Sequence, residues 1–389
     1  MQGISWMDAL DIRATYGTGG SVPLAGNNVT ILQLNATDPS TQLPIGTITF
    51  PANQQLGWEL TKTMNFGLDL RMLKNRLNFT ADAYTKKSSG IMVSLPYNAT
   101  YGWGSLQFNT ATLNSYGMEF SISGKPLEEK NWSISSVFNF AYGKTKVTDS
   151  RYKNTVATTV MSGTPVEGYQ LGATFVYRSA GLDDKGQTQI YDRNNKIINN
   201  TTALTSAFDI KDLKYVGIRV APYHGGFFNN FRYKSFDLGV QMTYYMGHIF
   251  MKPAVTNYPN FQGTYYGSLG RQKALADRWR EPGDEATTDV PGLSNVNFNS
   301  INRYANSDKL VRDADNIRLQ QISLGYNFPQ QLLPKAVIKS LNISANARNL
   351  GILWRANKDG IDPEYVNASA NYSSLPPVTS FLFNINATF

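Results

Sequence analysis

No cysteine occurs in the 389-residue chain, which removes disulfides and thiolate metal sites from consideration. Histidine is nearly missing as well. His224 and His248 stand far apart without the spacing of an imidazole metal pair, and read as polar loop or strand-end residues. Charge is scarce: Asp, Glu, Lys and Arg make up 16%, against about a quarter in ordinary soluble domains. No run of eighteen apolar residues exists, so no helix of this sequence is suited to crossing a bilayer. The net charge of +8 is dispersed, with no basic run of five or more, which argues against a nucleic-acid partner. The opening MQGISWMDAL lacks a charged segment followed by an apolar one, so any export signal is expected outside this sequence.

Catalytic patterns are missing too. There is no thiol nucleophile, no Gly-x-Ser-x-Gly elbow and no Gly-rich phosphate loop before a helix. The acid pairs Glu128-Glu129, Asp183-Asp184 and Asp284-Glu285 are adjacent in sequence, and neighbours on an extended chain point apart, so solvated loop charges are the plain reading. Asp313 and Asp315 beside Asn316 only weakly resemble a calcium loop. The expectation is a protein without enzymatic activity, cofactor or metal.

What is present is aromatic and periodic. Tyr and Phe number 22 and 20. In the last ten residues, SFLFNINATF, Phe381, Phe383, Ile385, Ala387 and Phe389 alternate with Ser380, Leu382, Asn384, Asn386 and Thr388. A period of two places alternate side chains on opposite faces of a strand. The pattern recurs at Leu10–Tyr16, Met64–Leu70, Leu77–Ala83, Tyr116–Ile122, Trp132–Tyr142, Phe227–Tyr233, Phe236–Met246, Ile322–Phe328 and Leu341–Ala347. That makes ten segments of seven to eleven residues, against the roughly nine to eleven a tilted strand needs to cross a membrane. Helical spacing is confined to Leu269–Arg280 and Gln330–Lys339, and Gly172–Tyr177 reads as a strand in a loop hairpin.

The connections alternate in length. Those at 74–75, 124–131, 234–235 and 329–340 are short, and those at 17–57, 86–106, 144–224, 248–316 and 351–378 are long and rich in Asn, Gly, Thr, Ser and Tyr. Short periplasmic turns and long extracellular loops are the habit of outer-membrane barrels. Compact soluble domains rarely contain so many long loops. The expected fold is therefore all-β: an antiparallel up-and-down transmembrane β-barrel portion of about ten strands. A soluble all-β glycan-binding module is a weaker alternative, because its strands would be shorter.

The motifs LADRWREPGD (275–284), NIRLQQISLGYNFPQQLL (316–333), LNISANARNLGILWRANKDGIDPEYVN (341–367) and LPPVTSFLFNINATF (375–389) resemble the C-terminal part of the SusC/RagA group of TonB-dependent outer-membrane transporters. So do 51–92, SYGMEFSISG (115–124) and PYHGGFFNNFRYKSFDLGV (222–240). The sequence departs from the group at Pro377-Val378, where arginine usually follows the proline, and at Phe383, where glycine is common. The resemblance implies a barrel of about 22 strands with a plugged lumen. On that basis residues 1–389 are expected to be the C-terminal portion of the barrel, incomplete and without a plug domain. It further implies energy-coupled import of glycans, oligosaccharides or peptides across the outer membrane of a Gram-negative bacterium. The implied partners are outer-membrane lipid, the missing N-terminal barrel and plug, the TonB complex acting through that part, and a SusD-like surface lipoprotein. A non-transporting structural or adhesive barrel is the alternative.

Candidate site residues follow. Tyr97, Tyr101 and Trp103 in one loop, and Tyr265, Tyr266 and Trp279 in another, are candidates to touch ligand or a neighbouring loop. Phe236, Leu238, Val240, Met242, Phe381, Phe383 and Ile385 are expected to face lipid, and Asp69, Arg71, Asp82, Glu119, Gln241, Asn346 and Arg348 the lumen. Resemblance to other outer-membrane barrels implies that Phe389 is a barrel-assembly signal.

Overall fold

The computed structural model describes residues 6–23, 28–150, 155–202, 204, 207–254, 273–292, 297–333, 337–367, 372–373 and 375–389. Ten strands form one antiparallel sheet whose spatial order follows the chain. They are β1 (Met7–Ser21), β2 (Glu59–Met72), β3 (Leu77–Pro96), β4 (Ser105–Glu128) and β5 (Trp132–Asp149). The rest are β6 (Tyr223–Tyr233), β7 (Phe236–Met246), β8 (Asn316–Asn327), β9 (Ser340–Arg355) and β10 (Ser380–Thr388). This is the up-and-down order that the alternation predicts. β1 and β10 are the two edges and do not pair with each other.

Local chemistry sets the turns. Lys234 takes φ of 51° in the two-residue turn between β6 and β7, a left-handed value suited to a tight hairpin. Between β2 and β3, the Asn75 N–H donates to Asp8 Oδ2 at 2.8 Å, which ties the turn to the start of β1.

Register shows that the two faces are continuous. Directly paired residues share a face. Ile12, Leu68, Ala81, Phe120 and Phe140 form one row across β1–β5. Val240, Ile322, Ala347 and Phe381 form another across β7–β10, beside Leu238, Leu324, Ala345 and Phe383. The opposite face carries Asp11, Asp69, Thr80, Ser121 and Asn139 in one row. Gln241, Gln321, Arg348 and Ser380 form a second polar row.

The described residues place no second layer over the apolar rows. Phe381, Phe383 and Ile385 are 68%, 78% and 71% exposed, and Phe66, Met118, Phe236 and Leu324 are exposed as well. The cores lie instead in the long connections. One joins Val176, Met251, Leu275, Val290, Ile301, Tyr304 and Leu310. The other joins Ala157, Val160, Phe175, Tyr177, Ile190, Phe208 and Leu213. The first draws on both 150–222 and 247–315, and the second lies within 150–222, which also contributes the four-stranded sheet of Ala173–Leu182, Thr188–Tyr191, Ile197–Ile198 and Leu213–Ile218.

Some boundaries differ from the sequence reading. The loop expected at 86–106 is mostly strand, because β3 and β4 extend and leave only 97–104 as the connection. The reason is visible in the register: bulges at Ser89/Ile91 and Ile91/Met92, with Gly90 at φ of 68°, slip the alternation by one residue. The loop at 17–57 contains a separate hairpin, Ile31–Thr37 with Pro44–Phe50. Gly172–Tyr177 does stand outside the main sheet, in the four-stranded sheet rather than in a simple hairpin. The described parts of 330–339 and 269–280 yield one 3-10 turn each, Gln330–Leu332 and Lys273–Asp277. The helix Phe298–Ala305 escaped the pattern search, being too short to show a repeat; its N-cap Asn297 accepts from the Ser300 N–H at 2.9 Å.

Candidate functional site

Aromatic side chains gather at both ends of the apolar face. At the turn end, Trp132 and Tyr233 lie 4.2 Å apart between ring centroids, Phe236 and Tyr326 4.7 Å, and Tyr326 and Phe328 4.8 Å. At the loop end, Tyr142 stacks on Tyr223 at 4.9 Å, and Tyr116 lies 6.2 Å from Tyr142. β6 runs from one rim to the other in eleven residues. At about 3.3 Å per residue and a tilt of about 40°, that rise is roughly 25 Å, the height of a barrel's apolar band. Phe236, Leu238, Val240, Met242, Phe381, Phe383 and Ile385 all stand on this face.

The polar face is wired by hydrogen bonds. Arg13 Nε lies 3.1 Å from Asp69 Oδ2, and its Nη2 lies 3.4 Å from Asp82 Oδ2. Gly67 separates these partners, and a Cβ there would sit 2.7 Å from Asp82 Oδ1 and 2.8 Å from Arg13, so the bare backbone lets the guanidinium cross the strand. Arg348 donates to Gln321 Oε1 at 3.1 Å, and Gln321 to Asn346 Oδ1 at 3.3 Å. A face of this kind can touch water and polar solutes.

Above the loop-end rim, the long connections are clamped together. Arg318, at the start of β8, is nearly buried and meets both Asp362 oxygens at 2.7 Å, with Glu364 at 3.3 Å. Asp359 accepts from Lys252 at 2.7 Å and also from Arg312. Burial pushes the Asp359 carboxyl up, but the hydrogen bonds from Lys252 and Arg312 outweigh it and hold the group below its ordinary value. Arg303, 2% exposed, donates to the carbonyls of Ile198, Asn199 and Thr202. Burial draws its guanidinium below its ordinary value, and burial of the Tyr304 phenol beside it in sequence pushes that group up to about 12. Sequence reading missed this clamp. Its acids lie in the quoted NKDGIDPEY, but nothing in the sequence points to Arg318 as their partner.

The candidate aromatics divide. Tyr97 and Tyr101, 5.6 Å apart, stand at the mouth of a cleft of about 380 Å³ with Trp103 in its wall. The return of the small hairpin closes the other side with Phe50 and Asn53. Those two residues lie some fifty positions away in sequence, so no local signal joined them to the tyrosines. The lining holds no charged side chain, and Gln107 Oε1 is buried there without a partner among the described residues. Trp279 is 8% exposed. Its indole N–H donates to Glu285 Oε2 at 3.1 Å and its ring covers Gly186 and Gly292, so it packs loop against loop. Tyr265 and Tyr266 lie outside the described residues.

The acid pairs serve their own turns: Asp183 Oδ1 accepts from the Lys185 and Gln187 N–H groups, and Asp284 Oδ2 from the Arg280 N–H. His224 stands nearly parallel to Tyr245 with ring centroids 6.4 Å apart, and His248 is mostly buried beside Asp315, with burial drawing its imidazole below the ordinary value despite that carboxylate. Among the described residues no cluster of potential metal ligands forms. Phe389 ends the chain after β10, its carbonyl accepting from Lys339 Nζ at 2.9 Å.

The sequence model of the TonB-dependent receptor-like β-barrel family matches residues 3–350. TonB-dependent receptor P39 of Formosa agariphila is 24% identical, over 100% of this chain and 41% of that protein. TonB-dependent receptor SusC of Bacteroides thetaiotaomicron is 25% identical, over 87% of this chain and 32% of that one. Among solved structures, the RagAB peptide transporter superposes with a TM-score of 0.74 at 23% identity, over 99% of this chain and 41% of that chain. The open-open state of the RagAB peptide importer gives 0.76 at 21% identity, over 100% and 41%. The chain thus spans about two fifths or less of these relatives.

Proposed function

The chain belongs to the TonB-dependent receptor-like β-barrel family, and on that premise we propose that it supplies ten strands of the wall of an outer-membrane nutrient importer. The observation that carries this reading is the uncovered apolar face, bounded by aromatic rims and backed by a hydrogen-bonded polar face. The apolar face meets lipid and the polar face lines the path of solute. The open edges β1 and β10 cannot rest in hydrocarbon with free N–H and C=O groups. They pair with further strands of the same wall, which also encloses the plug through which the TonB complex delivers energy. Residues 1–389 are the C-terminal portion of that barrel. The clamped loop body is the platform on which a SusD-like surface lipoprotein rests.

The cargo is a neutral oligosaccharide rather than a peptide. The cleft at Tyr97, Tyr101 and Trp103 presents aromatic faces, amides and no charge, which suits the apolar face and hydroxyl rim of a sugar ring. A peptide, with charged termini, would favour ionic partners. The test is uptake of labelled neutral oligosaccharide by cells carrying the intact protein, with and without dissipation of the proton gradient. Uptake that stops when the gradient is lost is expected, and uptake that continues unchanged would refute energy-coupled import. Deleting Phe389 is expected to lower the amount of protein at the cell surface, measured by surface labelling; an unchanged level would exclude the assembly role.

A further inference from the structure

We infer that the apolar face of β2–β5 ends, just beyond its loop-end rim, in a ledge of lysines that holds the phosphate groups of an anionic lipid. This rests on the membrane reading above. Lys62 of β2 and Lys87 of β3 are direct cross-strand partners. Lys87 also faces Asn114 of β4, and Asn114 faces Lys146 of β5. Four neighbouring strands at about 4.8 Å spacing put this row within roughly 15 Å. Lys144 stands one step along β5 in the next row, opposite Tyr116.

Along β2 the same side continues through Met64 and Phe66, along β4 through Tyr116 and Met118, and along β5 through Tyr142 and Phe140. Those are the apolar rows and their aromatic rim. No register shift intervenes between the lysines and these residues.

Like charges placed directly opposite each other weaken a sheet, and an acid partner is the usual remedy. From the lysine row to the turn-end rim, the apolar side of these four strands carries no Asp or Glu. Lys62, Lys87 and Lys146 are all exposed. Lys62 and Lys87 also edge a cavity of about 490 Å³ whose other walls include Ser89, Thr112, Asn114 and one acid, Asp149, which stands opposite Thr112 in the next row toward the loops. Ammonium, amide and hydroxyl donors converging on one hollow match the several acceptor oxygens of a phosphate. Lysines at headgroup depth also attract anionic lipid. The lysine row stands between this hollow and the apolar rows, so an amphiphile gains what a free anion does not: its chains lie along Met64, Phe66 and Met118 while its phosphates sit among the lysines.

The experiment uses protein purified from outer membranes in mild detergent, stripped of lipid, and then titrated. The probes are bisphosphorylated lipid A, its dephosphorylated counterpart, and inorganic phosphate at matched concentration, with retained lipid counted by native mass spectrometry. The unaltered protein is expected to retain the phosphorylated lipid at least five-fold better than the dephosphorylated one. The variant combining Lys62→Gln, Lys87→Gln and Lys146→Gln is expected to lose that preference, while Lys→Arg at the same positions keeps it. Equal retention of the two lipids by the unaltered protein overturns the proposal, whether or not the variants fold. So does full retention by the Gln variant, or displacement of the lipid by inorganic phosphate. A protein that needs detergent for extraction but ignores the phosphates overturns the ledge alone. A protein released from membranes by salt overturns the membrane reading and the ledge with it.

Discussion

The ten-stranded sheet and the loop body are built from similar residues and obey opposite rules. In the loop body, Val176, Tyr177, Ile190 and Val160 are almost wholly buried, and buried polar side chains such as Arg303 and Ser300 have partners: Arg303 meets three carbonyls, and Ser300 accepts from the Thr188 N–H. In the sheet, the large apolar residues stand open on one face while the charges of the other pair with each other. Two solvents explain the difference. The loop body folds as any water-soluble domain does, by hiding apolar surface from water. The sheet follows the rule of a wall between hydrocarbon and water, where only alternate residues need be apolar.

The comparison breaks most sharply if the loop body is undermined. Phe175 lies in the second core, edge-on to Tyr169 at 4.9 Å. Phe175→Ala is expected to destabilise the loop body by about 3–5 kcal/mol, the usual cost of emptying an aromatic site. Limited proteolysis should then cut between 150 and 222, while the sheet keeps the anomalous gel mobility of an unheated barrel. Loss of both together would mean that the two regions are one cooperative unit.

The second test sets two neighbouring residues against each other. Val240 stands midway along β7 on the apolar face, opposite Ile322, and Gln241 stands on the polar face, opposite Gln321. Val240→Arg is expected to cost about 2–4 kcal/mol in lipid vesicles, because a guanidinium near the midplane must leave water. Gln241→Arg is expected to cost less than about 1 kcal/mol, the ordinary range for a solvated substitution. Equal losses measured by denaturant titration would mean that the faces are not assigned to different solvents.

These two regions were also unequally legible. The strand rows could be read directly, because a period of two survives in the sequence wherever the sheet is regular, as along β7 or β10. It failed where backbone geometry intervened: the bulge at Gly90 shifted the phase, so the upper half of β3 looked like loop. The loop body could not be read, since its order comes from long-range packing. The clamp joins Arg318 to Asp362, 44 positions apart, and the Tyr97 cleft needs Phe50 and Asn53 from another connection. Neither leaves a periodic trace. Trp279 shows the limit from the other side: an aromatic in a polar loop looks the same in sequence whether it waits for a ligand or, as here, covers two glycines.

The smallest expected effect concerns how the clamp responds to acid. Asp359 is held below its ordinary value by Lys252 and Arg312 after burial has pushed it up. A carboxylate depressed in the folded state contributes stability that is fully present above its unfolded pKa of about 3.9, and loses it as pH falls through the folded value. The link between 356–365 and the Lys252 and Arg312 segments is therefore intact at neutral pH and loosens only in strong acid. Because Lys252 and Arg312 both reach solvent, the contribution is expected to be below about 1 kcal/mol. Hydrogen exchange of 356–365 should rise modestly below pH 4, and Asp359→Asn should produce the same rise at pH 7 and remove the pH dependence. A segment whose exchange already rises between pH 7 and 5 would be answering to another group. His248 is the nearest candidate by titration range, but its lowered value means that it charges only after the pH has dropped below the ordinary histidine region. A transition centred at or above the ordinary histidine value of about 6.5 would therefore exclude both residues and place the switch elsewhere in the loop body.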